Sequence, residues 1–257
     1  MPTTTLPLAA DLEGTRVPQV MFKTRADGAW RYVSSDDVFK GRSIVLFSLP
    51  GAYTPTCSGA HLPRFNELAR VLKANGIDEV ICMAVNDAFV MNQWREDQKV
   101  EEVTLIPDGN GEFTAGMRML VDKSALGMGM RSWRYSMLVR NSVIEKLFIE
   151  PWQDGDPYEV SDADTMLRHI NPKAVVPEPV VVFSKPGCMH CARARGLLHA
   201  RGLRFQEISM GGAINASTLR AVTGSATWPQ IFIGGRRIGD ADDLDAYFNA
   251  GTAARAA

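Results

Sequence analysis

Cysteine is scarce in this chain: four residues in 257, at positions 57, 82, 188 and 191. So few, so unevenly spaced, they exclude the disulfide scaffold of a small secreted protein. A structural zinc site needs four ligands, and a single C-x-x-C supplies half of one. Charge of one sign is also missing: 28 basic residues against 29 acidic give a net charge of -1, which leaves no basic field for nucleic acid. No apolar run approaches the ~20 residues that cross a bilayer. The opening MPTTTLPLAADLEGTR has no basic segment ahead of an apolar core, so it does not read as a secretory signal. The expectation is a cytoplasmic protein with no bound metal, no nucleic-acid partner and no membrane association. What is present is ordinary globular material, 46% hydrophobic and 22% charged, long enough for two domains.

The texture changes near residue 171. NPKAVVPEPV places Pro172, Pro177 and Pro179 in one short stretch, a stiff extended connector over 172–179. The reading is therefore two domains, 1–171 and 180–257. Each opens with an apolar strand that runs through a loop into a cysteine and a helix: SIVLFSLPGAYTPTC in the first, VVVFSKPGC in the second. In the second domain, PVVVF, LRFQEISM and the two arms of PQIFIGGRRIG read as strands, the last pair turning at Gly234-Gly235. CMHCARARGLLHARG, NASTLRAVTG and ADDLDAYFNA read as helices, with an Asn cap on the second and Gly202 and Gly224 as stops. The order βαβαββα, with C-x-x-C opening its first helix, specifies a thioredoxin-like α/β fold, a mixed β-sheet flanked by helices. The first domain fits the same fold with insertions. It has a strand at 43–49, a helix from Cys57 to Asn75, a strand in DEVICMAVN and a helix in AFVMNQWREDQ. A hairpin follows, turning at Asn141-Ser142.

In the first domain, Pro50 and Pro55 fix two φ angles ahead of Cys57. Cys57 falls in the first turn of the next helix, where free N–H groups and the helix dipole favour a thiolate. Thr54, in the same loop, can supply a hydroxyl. An arginine would further stabilise charge, but residue patterns alone leave Arg131 and Arg134 equally eligible. Cys82 lies in the continuous apolar run EVICMAVN and reads as an inert core residue. His61, His169 and His199 show no spacing that identifies a metal site or a catalytic triad, and PDGNGE at 107–112 reads as a turn.

PGAYTPTCS resembles the peroxidatic signature P-x-x-x-T-x-x-C of the peroxiredoxins, in the form used by the type-five branch. The resemblance extends over about residues 14–170, through VNDAFVMNQW, IPDGNGEFT and RSWRYSMLV. It implies that Cys57 attacks a peroxide O–O bond and becomes a sulfenic acid. It also implies that Pro50 shields Cys57, that Thr54 holds the peroxide oxygens, and that Arg134 stabilises the thiolate and the leaving oxygen. Many type-five relatives carry a resolving cysteine late in the domain, whereas residues 141–187 here contain none. Cys57 then reads as a one-cysteine catalyst.

In the second domain, KPGCMHC sets Cys188 at a helix N-terminus, exposed, with Cys191 one turn on and buried. Together with TWPQIFIGG and IGDADDLDAYF it resembles glutaredoxin. That resemblance implies a glutathione site walled by Thr227, Trp228 and a cis Pro229, with Lys185 on the glycyl carboxylate. The γ-glutamyl end would dock at the last helix, on Asp242 and Asp243. Trp228 and Asp240 stand where the family has valine and glycine, and His190 where tyrosine or phenylalanine is common. The whole resembles a peroxiredoxin–glutaredoxin fusion. It implies a peroxidase for hydrogen peroxide and alkyl hydroperoxides, with glutathione as reducing cosubstrate and no bound flavin or nicotinamide. Glutathione reductase would act indirectly, and homodimers or homotetramers would form through the first domains. A general thiol–disulfide oxidoreductase with a peroxide-sensing domain, or a redox-switched holdase, would use the same cysteines.

Overall fold

The computed structural model describes residues 7–153, 155–212 and 214–255. The outermost residues of the two expected domains, 1–6 and 256–257, lie outside them, as do Asp154 and Ala213. The chain divides into two compact units between Val175 and Val176.

The first unit begins with α1 (Ala9–Leu12), the hairpin β1 (Met21–Ala26) and β2 (Ala29–Ser34), and α2 (Ser35–Phe39). Strand β3 (Ser43–Leu49) follows and is buried throughout except at Ser43. A strand this apolar on both faces belongs in the middle of a covered sheet. It takes that place in a five-stranded sheet of order β5-β4-β3-β8-β9. Strands β4 (Glu79–Ala84) and β5 (Val103–Pro107) run parallel to β3, while β8 (Tyr135–Arg140) and β9 (Val143–Ile149) form the antiparallel side. Helices α3 (Leu62–Ala74), α4 (Ala88–Asp97), α5 (Glu112–Gly116) and α6 (Ala163–Ile170) flank the sheet, and α3 packs on α6. A small ribbon of β6 (Leu120–Asp122) and β7 (Met130–Ser132) forms a separate two-stranded sheet, joined to β3 by the Ser48–Ser132 hydroxyl bond. The β8–β9 hairpin turns at Asn141 and Ser142, with φ of 47° and 66°, the pair of left-handed residues that a two-residue hairpin turn requires.

The helix expected from Cys57 starts differently. Residues Cys57–His61 form one π-helical turn, closed by the Leu62 N–H donating to the Cys57 carbonyl, before α3 begins. Pro63 lacks the N–H that an α-helical register would have offered to Gly59, and a wider turn relieves that loss.

The second unit has a four-stranded sheet of order β11-β10-β12-β13. Its strands are β10 (Val180–Ser184), β11 (Gln206–Ser209), β12 (Gln230–Ile233) and β13 (Arg236–Gly239), with β10 parallel to β11 and antiparallel to β12. Helices α7 (Met189–His199), α8 (Ala216–Thr223) and α9 (Ala241–Arg255) complete the βαβαββα order. Val180, Val182, Ala194, Leu198, Ile231, Ile233 and Leu244 fill its core. Among the described residues no helix is long and apolar enough to cross a membrane, and no cluster of acidic, His and Cys side chains could hold a metal ion.

Candidate active sites

The parallel strands carry the chain to one end of the first sheet, where Pro50 ends β3 because it cannot continue the ladder. Pro50 is buried, and Cys57, seven residues on, is fully buried at the first helical turn. Thr54 is half-buried. Its hydroxyl donates to the Gly51 carbonyl at 2.9 Å, and its own carbonyl accepts from the Ser58 N–H at 3.0 Å. The loop is thus tied to itself on both sides of the cysteine.

The register of β8 decides which arginine arrives. Tyr135 pairs with Ser48, so Arg134, one residue earlier, stands at the end of the sheet that carries the Cys57 loop. It is 1% exposed, and its Nη2 donates to Cys57 Sγ at 3.6 Å. Arg131 belongs to β7, and its guanidinium is spent on the carbonyls of Met128 and Val85. Arg134 Nη1 meets His61 Nδ1 at 3.0 Å, and Nη2 also donates to Asp156 Oδ1 at 2.5 Å, while Nε has no partner among the described residues. The segment between β9 and α6 brings Asp156 and Tyr158 to this face. It is tied down by the buried Glu150 carboxylate, which accepts from the N–H groups of Glu159, Val160 and Ser161 at 2.7–3.0 Å. A cation beside a sulfur, with its Nε–H unused among the described residues, can polarise a small oxygen-bearing substrate.

In the second unit Cys188 caps α7, its sulfur accepting from the Cys191 N–H at 3.1 Å. Cys188 is half-buried rather than exposed, because the chain at Trp228 covers one side and the Trp228 carbonyl lies 3.9 Å from its sulfur. Cys191 is fully buried, and the two are joined as a disulfide. The Trp228–Pro229 bond is cis. The wall is held by the buried Gln230, whose amide donates to the carbonyl and hydroxyl of Thr227 at 3.2 and 3.0 Å and whose oxygen accepts from Arg237.

A Redoxin family model matches residues 12–167 and a Glutaredoxin model matches residues 180–238. The chain is a peroxiredoxin carrying a glutaredoxin domain. The hybrid peroxiredoxin hyPrx5 of Haemophilus influenzae is 55% identical over 239 residues, covering 93% of this chain and 99% of that relative. The peroxiredoxin sll1621 of Synechocystis is 51% identical, over 65% of this chain and 97% of its own. Among solved structures, reduced Prx3 of Vibrio vulnificus in complex with H2O2 matches with a TM-score of 0.58 at 37% identity, over 62% of this chain and 98% of its own. The 1-Cys peroxiredoxin of Plasmodium falciparum matches at 0.60 and 32% identity, over 63% of this chain and 99% of its own. The expected thioredoxin-like α/β architecture is therefore the fold of this peroxiredoxin and of its glutaredoxin domain, and a thiol peroxidase role in antioxidant defence goes with it.

The peroxiredoxin fold brings Pro50, Thr54, Cys57 and Arg134 to one end of its sheet. Cys82 sits in β4 opposite Phe47, fully buried, and burial pushes its thiol well above the ordinary range. The glutaredoxin fold places Cys188, Cys191 and the 227–229 wall together, with Lys185 exposed just ahead of the helix and His190 exposed within it. At the acidic turn Asp240 caps α9, its Oδ1 accepting from the N–H groups of Asp242 and Asp243 at 2.8 and 3.2 Å. Asp243 Oδ2 accepts from the Asp240 N–H at 3.0 Å in return, and the Asp242 carboxylate pairs with Arg193.

His61 is the neighbour of Arg134 that sequence spacing missed. It closes the π-turn, fully buried, with Nε2 3.2 Å from the Ser161 carbonyl. The signal lay four residues after Cys57 in the helix itself, but its two partners come from positions 134 and 161. Burial first, then the Arg134 charge, hold its pKa well below the ordinary value, against the opposing pull of the Ser161 carbonyl. The unfolded chain takes a proton on this histidine below about pH 6.5 and the folded chain does not, so stability falls as pH drops, by up to about 1.4 kcal/mol per unit. Urea unfolding of the wild type and His61→Asn checks this. Between about pH 7 and 5.5 the wild type loses about 1 kcal/mol more than the variant; equal losses would contradict the assignment.

Proposed function

We propose that the chain is a glutathione-dependent peroxidase in which the glutaredoxin domain recycles Cys57. The observation that carries this reading is the isolation of Cys57: the other thiol of its domain, Cys82, is buried in the sheet, while a half-exposed Cys188 is supplied on the same chain. Cys57 thiolate attacks one oxygen of the peroxide and the O–O bond breaks. Cys57 keeps that oxygen as a sulfenic acid, and water or an alcohol leaves once protonated. Arg134 steadies the negative charge on sulfur and on the leaving oxygen, Thr54 offers its hydroxyl to the peroxide, and Pro50 keeps water out. Glutathione condenses with the sulfenic acid, releasing water and forming a mixed disulfide. Cys188 thiolate displaces Cys57 from that disulfide and takes the glutathionyl group. A second glutathione then displaces Cys188 and leaves as glutathione disulfide, for glutathione reductase to recycle. Cys191 can instead attack the Cys188–glutathione disulfide, expelling glutathione and closing the Cys188–Cys191 disulfide present here; one glutathione reopens it as a mixed disulfide and a second carries the first away as glutathione disulfide.

The same reading places the domains at 1–171 and 180–257 with 172–179 as linker, in a cytoplasmic enzyme assembled as dimers or tetramers through its peroxiredoxin domains. Thr227, Trp228 and Pro229 line the glutathionyl group, Lys185 pairs with the glycyl carboxylate, and the turn at Asp242 and Asp243 takes the γ-glutamyl end. NADPH consumption on adding peroxide to the full chain, with glutathione and glutathione reductase, tests it. A chain that oxidises at Cys57 but never draws NADPH would instead be a sensor.

Asp240 sets the affinity of that site, because its carboxylate already occupies the N–H groups that a ligand carboxylate would use. Asp240→Gly frees them at a capping cost of a few tenths of a kcal/mol. Removing a like charge at this half-exposed position is worth about 1 kcal/mol, so S-methylglutathione should bind about five-fold tighter. Calorimetric titration reads the change, and unaltered affinity would place the γ-glutamyl end elsewhere.

A further inference from the structure

We propose that His61 is the positioning residue for Arg134: a neutral imidazole whose Nδ1 lone pair holds the guanidinium in the plane that presents Nη2 to Cys57. The role rests on the peroxidase reading above and adds to it a residue outside the P-x-x-x-T-x-x-C motif and its arginine.

The tautomer follows from the partners. A carbonyl oxygen only accepts, so His61 Nε2, 3.2 Å from Ser161 O, carries the hydrogen. A guanidinium only donates, so Nδ1, 3.0 Å from Arg134 Nη1, presents its lone pair. Protonating Nδ1 would destroy that bond and set two cations against each other in a buried space. The remaining neighbours of the ring carry no compensating charge: Phe47, Phe65 and Tyr158 lie with ring centroids 4.8, 5.4 and 5.0 Å away. Asp156 engages the far side of the guanidinium, at Nη2.

Arg134 needs such an acceptor. Its Nη2 is divided between Cys57 at 3.6 Å and Asp156 at 2.5 Å, and Asp156 belongs to an exposed segment. Among the described residues Nε has no partner. The bond to His61 is therefore, among the same residues, the one fully buried hydrogen bond from Arg134 to a neutral acceptor. It sets the rotation of the guanidinium about its own axis, with the Tyr158 ring 5.7 Å from the guanidinium carbon. Because His61 and Cys57 bracket a single π-turn, the same five residues position the nucleophile and the holder of its cation.

Two isosteres separate positioning from packing. In His61→Asn the side-chain oxygen falls near the place of Nδ1, so it keeps the acceptor for Arg134 and loses the bond to Ser161. In His61→Gln the terminal amide falls near Nε2, so it keeps the bond to Ser161 and loses the acceptor. The measurement is the second-order rate constant for Cys57 oxidation by H2O2 in the full chain without glutathione, by stopped-flow tryptophan fluorescence, with melting temperatures alongside. A displaced catalytic group of this kind costs on the order of 10²-fold, so H61Q should fall about that far while H61N stays within about five-fold of the wild type. A purely structural His61 predicts the reverse order, or losses that follow the melting temperatures, and either result overturns the proposal.

If neither variant folds, nitrogen-15 NMR of the wild-type imidazole decides. Nε2–H with a bare Nδ1 at every pH where the fold persists supports the pair, and an Nδ1–H tautomer or an imidazolium overturns it. A wild type that does not react with H2O2 would bring down the peroxidase reading, and the NMR result would then decide the His61–Arg134 pairing alone.

Discussion

Cys57→Ser is expected to bring peroxide consumption by the full chain down to the uncatalysed rate, a loss of at least about 10⁴-fold, the scale on which removing a catalytic nucleophile acts. A serine hydroxyl at the same buried position keeps the loop, the π-turn and the Arg134 contact, but it is not ionised near neutral pH and does not attack an O–O bond. The glutaredoxin domain is untouched by the change. Reduction of a small mixed disulfide, such as that of glutathione with cysteine, should continue at the wild-type rate in the same preparation. That internal control matters, because an unfolded or aggregated variant would lose both activities. Residual peroxide turnover above a few per cent would mean that Cys188, the one cysteine of the four that is not fully buried, is itself a peroxidase.

Cys188→Ser should cut glutathione-supported turnover by more than about ten-fold at glutathione well below 1 mM, with the deficit shrinking toward ~10 mM, since a tethered group acts at an effective concentration in the millimolar range. Thiol chemistry alone does not account for the size. A thiol held ionised gains up to about thirty-fold in thiolate fraction at pH 7 over a free one, but loses about ten-fold in intrinsic nucleophilicity as its pKa falls. The net gain is about three-fold, so tethering and recognition of the glutathionyl group must supply the rest. Cys191→Ser should retain most of the turnover, because each step after glutathione condensation uses Cys188 alone. Coupled NADPH consumption across a glutathione series reads both variants. A Cys188→Ser enzyme as fast as the wild type at low glutathione would show that the second domain is not the reductant.

Much of this was legible in the chain. Apolar runs as continuous as SIVLFSL and VVVFS can only be interior strands. Pro50 must end the first of them, and a C-x-x-C behind such a strand in a βαβαββα order identifies a thioredoxin-like unit. The scarcity of cysteine was itself informative, since it left Cys57 without a late partner in its own domain. Some secondary structure escaped: the β6–β7 ribbon because strands of three residues leave no clear period, and helix α6 although its Asp162 cap and its apolar face were present in the chain. The π-turn escaped because it depends on one proline read against the register of its neighbours.

The choice between Arg131 and Arg134 shows where sequence stops. Both lie in RSWR three residues apart, and both are cations. Only the pairing of Tyr135 with Ser48 sends one to Cys57, while the β6–β7 ribbon sends the other to the carbonyls of Met128 and Val85. Asp240 and His61 make the same point. An acid at a turn either faces solvent or closes back on the helix, and a histidine without patterned neighbours is indistinguishable from a core residue. The sequence by itself determined the two folds, the places of Cys57 and the C-x-x-C at the starts of their helices, and the absence of a cysteine between residues 141 and 187. The tertiary structure decided which charged and polar groups meet those cysteines, because such contacts join positions 57, 61, 134, 156 and 161, whose proximity is set by sheet register rather than by any local pattern.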